Sequence, residues 1–422
     1  MKITTLKTAT LTATLTRAMS NSKLPSSGIL LVDKPKGVTS HDVVSCARGL
    51  LHTKRVGHAG TLDPMATGLL IIGFGNATRL LNYLLGHNKT YEAVIRLGES
   101  TNTDDADGDV VESAKNESGI LSSNHANIDE VLKELRCTVA KNFTGSIMQA
   151  PTAFSAIKIN GVRAYDLARA GKDVHLEPRE VVIHDFSLLD AHFGVGVSGA
   201  KVIDVRASVS CSSGTYIRAL ARDLGRVLGI GGHLVSLRRT QIGDFSVEDS
   251  RVLKLKTTVR TFTDKNGVTQ TRTKAIVDLA TLGEHAGEHA GESNSESNSE
   301  SNGDKNYDLQ TNLLSMFEAA KSTMQVVEVS ENQAKDLRFG RKIAIPAISA
   351  SNAIAYVKAA KDEQNDVVAV LQTTQKSQAT EDLSRTVSIS QAKIPTTIEK
   401  IEKIEKNSNL IEAKPIVVFV QS

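Results

Sequence analysis

A single carboxylate stands in the run Gly57-His58-Ala59-Gly60-Thr61-Leu62-Asp63-Pro64-Met65-Ala66-Thr67-Gly68-Leu69-Leu70. Glycines and small residues let backbone approach a ligand closely. Pro64 fixes its own backbone angle and biases Asp63 away from the helical region. Asp63 has no partner acid beside it and no metal-ligand spacing around it. The chemistry that suits a lone, rigidly held carboxylate is that of a nucleophile. An Asx turn, in which the side chain only caps a bend, is the competing reading of any Asp-Pro pair.

Basic residues supply possible partners. Ser210-Cys211-Ser212-Ser213-Gly214-Thr215-Tyr216-Ile217-Arg218 runs from a strand into a helix over Thr215–Leu228. Arg218, Arg222 and Arg226 recur every four residues along it, as on a solvated basic stripe. Arg218 differs from the others, because an arginine in the first turn beside a Gly-Thr-Tyr bend could pair with a distant carboxylate and keep it ionised. Gly231-Gly232-His233, Leu237-Arg238-Arg239-Thr240, Lys54, Arg55, Lys158 and Arg163 add residues that, if clustered, would form a phosphate-binding surface. Asp104-Asp105-Ala106-Asp107-Gly108-Asp109 imitates a calcium loop poorly. Counted from Asp105, the sixth position is Val110 and the twelfth Asn116, where an EF-hand needs Gly and Glu. An acid-rich turn is the better reading.

The elements that position these residues follow from patterning. Ile29–Val32 is a short apolar strand, and Ser40 can cap a helix to about Leu51. Asn76 can cap another, to Leu85. Tyr91, Ala93, Ile95 and Leu97 alternate along a strand over Thr90–Leu97. Asn127–Cys137 reads as a helix and Val181–Ser212 as strands. Strands and helices without regular βαβ spacing imply a mixed α/β or α+β catalytic domain. Lys254–Lys274, rich in Thr and Lys, marks a composition shift, and Glu284–Asn302 is low complexity. His285 and His289 fall in its repeats, where a solvated linker outweighs a metal site. From about Asn312 a smaller domain follows, with a helix near Asn332–Phe339 and strands at Asp366–Gln372 and Ile416–Val420.

The chain has 422 residues, a formal net charge of +3, three scattered cysteines and no Trp. It is long enough for two or three domains. Cysteines without C-x-x-C pairing argue against a disulfide framework or zinc site and suit a reducing compartment. No apolar stretch is long enough to span a bilayer as a helix. Residues 1–27 carry Lys2, Lys7, Arg17 and Lys23 but no acid. That composition resembles a transit peptide. A disordered extension, or a start at Met19, is the preferred reading, with a cytoplasmic bacterial protein expected.

In combination these motifs resemble the TruB family of tRNA pseudouridine synthases. The resemblance runs from Gly28 to about Val252, through Gly28-Ile29-Leu30-Leu31-Val32-Asp33-Lys34-Pro35, the Asp63 run, Lys89-Thr90-Tyr91, Gln149–Lys158, Gly214-Thr215-Tyr216-Ile217-Arg218 and His233–Arg239. Each motif alone is weak; six in order are specific. Leu337–Lys342 and Pro415–Phe419 look like a diverged form of the family's small C-terminal β domain.

The resemblance implies a pseudouridine synthase catalytic fold with a central mixed, mostly antiparallel sheet over residues 28–255. It also implies an RNA-gripping thumb loop at 143–171, an insertion or linker at 256–308, and a PUA-like RNA-binding domain at 309–422. The implied reaction converts uridine to pseudouridine at position 55 of the TΨC arm of tRNA, after the base is flipped out, with no cofactor and no metal. Asp63 would be the nucleophile, Arg218 its counter-ion, and Tyr91 the residue stacked on the base and a possible proton acceptor. Tyr216 and Leu237 would line the uracil pocket. His58 would fill the gap left by the flipped base, and Lys158 and His233 would contact RNA. The implied partner is tRNA, bound by a monomer with no obligate protein partner. Action on another RNA, or a tRNA-folding role with incidental chemistry, are the alternatives.

Overall fold

The computed structural model describes residues 24–114, 119–121, 127–263, 267–278, 283–284, 307–358, 365–373 and 410–419. Most of the expected N-terminal extension, with Met19, and the low-complexity repeats with His285 and His289 lie outside the described residues. The chain divides into two compact units, one over Ile29–Leu313 and one over Leu314–Ser422. No helix among the described residues is long and apolar enough to cross a membrane.

The first unit is built on one large sheet. Its strands are β1 (Gly28–Lys34), β2 (Val56–Ala59), β3 (Thr67–Phe74), β4 (Lys89–Leu97), β5 (Gly145–Gln149), β6 (Arg179–Val195), β7 (Lys201–Cys211), β8 (Gly232–Ile242), β9 (Leu253–Thr263) and β10 (Thr269–Val277). The order across the sheet is β10-β9-β1-β3-β8-β4-β7-β6-β5, with β2 paired off β3. The β4/β8, β4/β7, β6/β7, β5/β6 and β9/β10 ladders are antiparallel, whereas β1/β9 and β3/β8 are parallel. The sheet is therefore mixed and mostly antiparallel, as the sequence implies.

Helices α1 (Ser40–Leu50), α2 (Ile128–Asn142) and α3 (Ile217–Val227) cover it. The N-cap of α1 is Thr39, one residue before the expected Ser40, because Thr39 and Asp42 form a reciprocal capping box. The helix expected over Asn127–Cys137 is present; Asn127 proves to be its N-cap, and it runs on to Asn142. Asn76 caps nothing. It lies in a 3-10 turn, and its side-chain oxygen accepts from Arg55 Nη1 at 3.1 Å.

Two cores result. One packs β4, β7 and α3 through residues such as Ile95, Val205 and Leu220, and the other packs α1 against β1 and β3 through Val43, Leu30 and Leu70. Burial alternates along β4, with Tyr91, Ala93, Ile95 and Leu97 all inward.

The hairpin β9–β10 corrects the reading of 256–308 as linker. Leu255, Ala275 and Val277 are buried in the second core while Lys256, Arg260 and Lys274 point outward. The Thr- and Lys-rich composition hid a strand alternation. Leu309 and Asn312 also pack in the first unit, so the second begins at Leu314 rather than 309. That unit has a five-stranded sheet built from Gln325–Glu328, Ile343–Pro346, Asn352–Val357, Asp366–Thr373 and Leu410–Val418, and a helix over Glu331–Arg338. It is the small β-rich domain anticipated at the C-terminus.

Gly68 shows how closely β3 and β8 approach. Its φ is +101°, and a Cβ there would lie 2.2 Å from the carbonyl oxygen of Arg239. Gly68→Ala combines a disfavoured backbone with a backbone clash, and should cost roughly 2–4 kcal/mol. Calorimetry should show the first unit melting earlier; an unchanged melting temperature would contradict the observed strand spacing.

Candidate active site

The loop Gly60–Ala66 joins β2 to β3, and its carbonyls and amides are held individually. Arg239 Nη2 donates to the Gly60 carbonyl at 2.9 Å and its Nε to that of Leu69 at 2.8 Å. The Ser40 hydroxyl accepts from Leu62 N at 2.9 Å and donates to Leu62 O at 3.1 Å. The Pro64 carbonyl accepts from Gly37 N at 2.8 Å and Lys34 Nζ at 3.3 Å. Ala66 N closes the bend onto the Asp63 carbonyl at 3.1 Å. The Asp-Pro pair therefore does make a turn, but through the Asp63 backbone, which leaves its side chain facing the cavity.

Asp63 opens into a cavity of about 290 Å³, lined also by Tyr91, Tyr216, Arg218, Leu237, Lys89 and Arg239. That volume is at the small end for ligand pockets. Arg218 Nε lies 3.0 Å from Asp63 Oδ2. The Nε–H is not aligned for a hydrogen bond, so the contact is mainly Coulombic. Arg218 Nη1 reaches Asp105 Oδ2 at 3.3 Å and the Thr103 carbonyl at 2.9 Å, and Nη2 donates to the Phe154 carbonyl at 2.8 Å. One guanidinium therefore joins the catalytic loop, the acidic turn and the root of the 143–171 loop.

The acidic turn is the feature whose role its sequence did not reveal. Asp105 Oδ1 accepts from Thr103 Oγ1 at 2.6 Å and Asp107 N at 3.1 Å, which fixes the carboxylate for Arg218. Asp104, at φ +61°, pairs with Arg222 at 3.2 Å. Arg222 also donates to the Ala150 carbonyl at 2.7 Å. Of the arginine stripe on α3, Arg226 alone is solvated.

Burial pushes the Asp63 carboxyl above the ordinary carboxylate range; Arg218 opposes this and the nearby Asp105 charge adds to it. Its side chain keeps 36% exposure, all that a ligand in the cavity would need to reach it. Burial raises the Tyr91 phenol, against the pull of the nearby Arg239 guanidinium charge. Tyr91 is held between Val209 and Arg239 on the flanking strands. Lys89 and Lys34 are pushed down to about 8, in both cases mainly by burial.

Gln149 locks the opposite wall, accepting from Tyr216 N at 2.8 Å and donating to its carbonyl at 3.1 Å. The structure thus gathers Asp63, Tyr91, Arg218, Tyr216 and Leu237 in one cavity. His58 does not line it. It stands on β2 with its ring 5.9 Å from that of His41, and burial and the neighbouring His41 and Arg239 charges lower its pKa. Lys158 is exposed on the 143–171 loop, outside the cavity.

His233 corrects an expectation. It is 4% exposed, and its Nδ1 lies 2.9 Å from the Glu99 carbonyl, which can only accept. It is an interior histidine, satisfied by backbone. Arg239, 1% exposed, spends itself on carbonyls, and Arg238 forms a two-pronged pair with Asp33 at 3.0 and 2.8 Å. Neither forms the free basic surface that the sequence suggested.

Residues 48–217 match the family model of the TruB family pseudouridylate synthase N-terminal domain, and 218–277 that of the tRNA pseudouridylate synthase B C-terminal domain. A protein named tRNA pseudouridine synthase B from Bifidobacterium longum (strain DJO10A) is 42% identical, with the match covering 75% of this chain and 88% of that protein. The chain belongs to the TruB family. A relative of the same name from Paenarthrobacter aurescens (strain TC1) is 52% identical over 54% of this chain and 68% of its own. A chain in a solved H/ACA RNP bound to a substrate RNA superposes with a TM-score of 0.51 at 19% identity, covering 96% of this chain and 93% of that one. That likeness concerns the fold. The second TruB family model ends at Val277, so it takes in α3, β8 and the β9–β10 hairpin, all within the first unit.

Asp63 should titrate above the ordinary carboxylate range in a ¹³C carboxyl NMR titration. Asp105→Asn removes a like charge and should move that titration to lower pH. An Asp63 titration unmoved by the substitution would contradict the coupling through Arg218.

Proposed function

We propose that this TruB family member isomerises uridine to pseudouridine in tRNA, at position 55 of the TΨC arm. The observation that carries the reading is the lone Asp63 carboxylate, 3.0 Å from Arg218 in a cavity walled by Tyr91. The B. longum and P. aurescens relatives, both named tRNA pseudouridine synthase B, support tRNA as substrate.

A stacked loop base cannot reach a cavity this small in place, so it flips out at a cost of a few kcal/mol. The uracil then stacks against Tyr91, between the Tyr216 and Leu237 walls. The reaction breaks the ribose C1′–N1 bond and forms a C1′–C5 bond. The C5 proton departs and N1 gains one, so the process is a redox-neutral isomerisation. Asp63 acts as the ionised nucleophile, at the ribose, at the base, or through a glycal route; all three need the carboxylate that Arg218 stabilises. Tyr91 receives the C5 proton; burial holds its phenol up, and the Arg239 charge opposes that only in part. His58, five residues before Asp63, fills the space the base leaves, and Lys158 grips RNA from the 143–171 loop. The C-terminal β unit adds a further RNA contact. The enzyme works alone in the cytoplasm, as a monomer.

With an unmodified tRNA transcript carrying [5-³H]uridine, the wild type should release one equivalent of tritium per tRNA. Asp63→Asn should lower the rate by a factor on the order of 10⁴ or more. Absence of release from the wild type would sink the reading, and tRNA refolding that persists in Asp63→Asn would favour the folding role instead. Tyr91→Phe keeps the stacking surface but loses the hydroxyl. Its single-turnover rate should fall by about 10²–10⁴-fold with tRNA affinity nearly unchanged; a wild-type rate would remove Tyr91 from the proton transfer.

A further inference from the structure

The β9–β10 hairpin carries charge that the active site does not use. Val32 pairs with Leu253 and Asp33 with Lys254 in parallel register, so β9 runs with β1 and continues where β1 ends. That is the end at which Lys34 meets the Pro64 carbonyl. A second link fixes the hairpin there: Arg272 Nη2 bonds Asp42 Oδ1 at 2.9 Å, in the first turn of α1, next to the Ser40 that holds Leu62. The ribbon therefore leaves the sheet on the side of the catalytic loop. At about 3.4 Å per residue, the nine residues beyond Lys254 reach roughly 30 Å.

Its outward face is one-signed. The cross-strand pairs Lys256–Ile276, Thr258–Lys274, Arg260–Arg272 and Phe262–Gln270 share a face, while Leu255 and Val277 share the buried one. Neither strand contains an acid. Arg260 stands directly opposite Arg272, an arrangement that costs stability unless an anion lies between or over the pair. Asp42 answers Arg272 and Asp278 answers Lys256 at 3.4 Å. Arg260 and Lys274 are exposed and form no ion pair with any described residue. Phe262, 46% exposed, completes the same face.

We propose that this ribbon is an RNA-docking element that follows the phosphate backbone of the substrate on the flank of the catalytic loop. The inference rests on the tRNA reading above. The partner is a polyanion because the free charge on the two strands is uniformly positive, and it is the substrate RNA because the ribbon springs from the edge of the loop that must receive the base.

The test compares the full chain with Arg260→Gln/Lys274→Gln and with the charge-matched control Lys133→Gln/Lys141→Gln on α2. Binding of an unmodified tRNA transcript is measured from low to moderate salt. Loss of two phosphate contacts should weaken binding at least fivefold at low salt and flatten the slope of log K against log salt by about 1.8. The single-turnover tritium-release rate at saturating tRNA should stay at the wild-type value, and the control should bind as wild type. Wild-type affinity and slope in the ribbon variant would overturn the proposal. So would an equal loss in the control, or lost binding to phosphatidylserine vesicles with tRNA binding intact. A wild type inactive on tRNA would instead defeat the underlying functional reading, which the ribbon variant alone cannot do.

Discussion

The buried Arg218 guanidinium is the contact on which the site depends. Taking an arginine out of water is costly unless its donors are met by acceptors and its charge by carboxylates. Here Asp63 and Asp105 supply the charge and the Thr103 and Phe154 carbonyls accept hydrogen bonds. These partners come from three loops distant in sequence, and Arg218 sits in the first turn of a helix packed on the central sheet. The pocket walls are consequently placed by one side chain rather than by three independent loops. The Asp63 carboxyl is pushed up mainly by burial, and the Asp105 charge that shares its arginine adds to the shift.

A second buried cation performs the complementary task. Arg239 grips the backbone at either side of the catalytic loop, at Gly60 and Leu69, and its charge bears on Tyr91 and Lys89. Lys34 does the same for the loop's centre through Pro64. Around Asp63 and its neighbour Asp105 the structure therefore gathers four cationic side chains, Arg218, Arg239, Lys34 and Lys89, on strands and a helix. Such a site sets positive charge against the burial that raises the Asp63 carboxyl and attracts a phosphate-bearing ligand, while strand-mounted groups lose little order when it binds.

The residues that touch the cavity were largely legible in the sequence, because their motifs are local. Asp63 stands out by its glycine-rich setting, Tyr91 by strand alternation, and Arg218 by its place at a strand-to-helix bend. What could not be read depends on distant partners. Asp105 looks locally like a failed calcium loop, and only Arg218, from another part of the chain, gives it a role. His233 looks like an exposed basic residue until Glu99 supplies a buried carbonyl. Arg238 and Arg239 look like a phosphate surface until Asp33 and the loop carbonyls absorb them. The β9–β10 hairpin was hidden for another reason. Thr and Lys on its outward face gave it the composition of a linker, although its inward face keeps the period of a strand.

The parallel registers of the sheet impose an order on when the site can exist. Thr67 pairs with Arg238, and Val32 with Leu253, so the strands flanking the catalytic loop close on partners made much later. Long-range pairings of this kind form slowly, because a large loop must close before any contact rewards it. During synthesis from the N-terminus, the Asp63 loop emerges well before Arg218 and Arg239 have been added. Until α3 and β8 dock, that loop has Ser40, Gly37 and Lys34 to hold it but lacks its Arg239 clamp and the Arg218 partner of its acid. The nascent chain thus carries Asp63 without its arginine, and the cavity is completed only when the later elements of the first unit have folded.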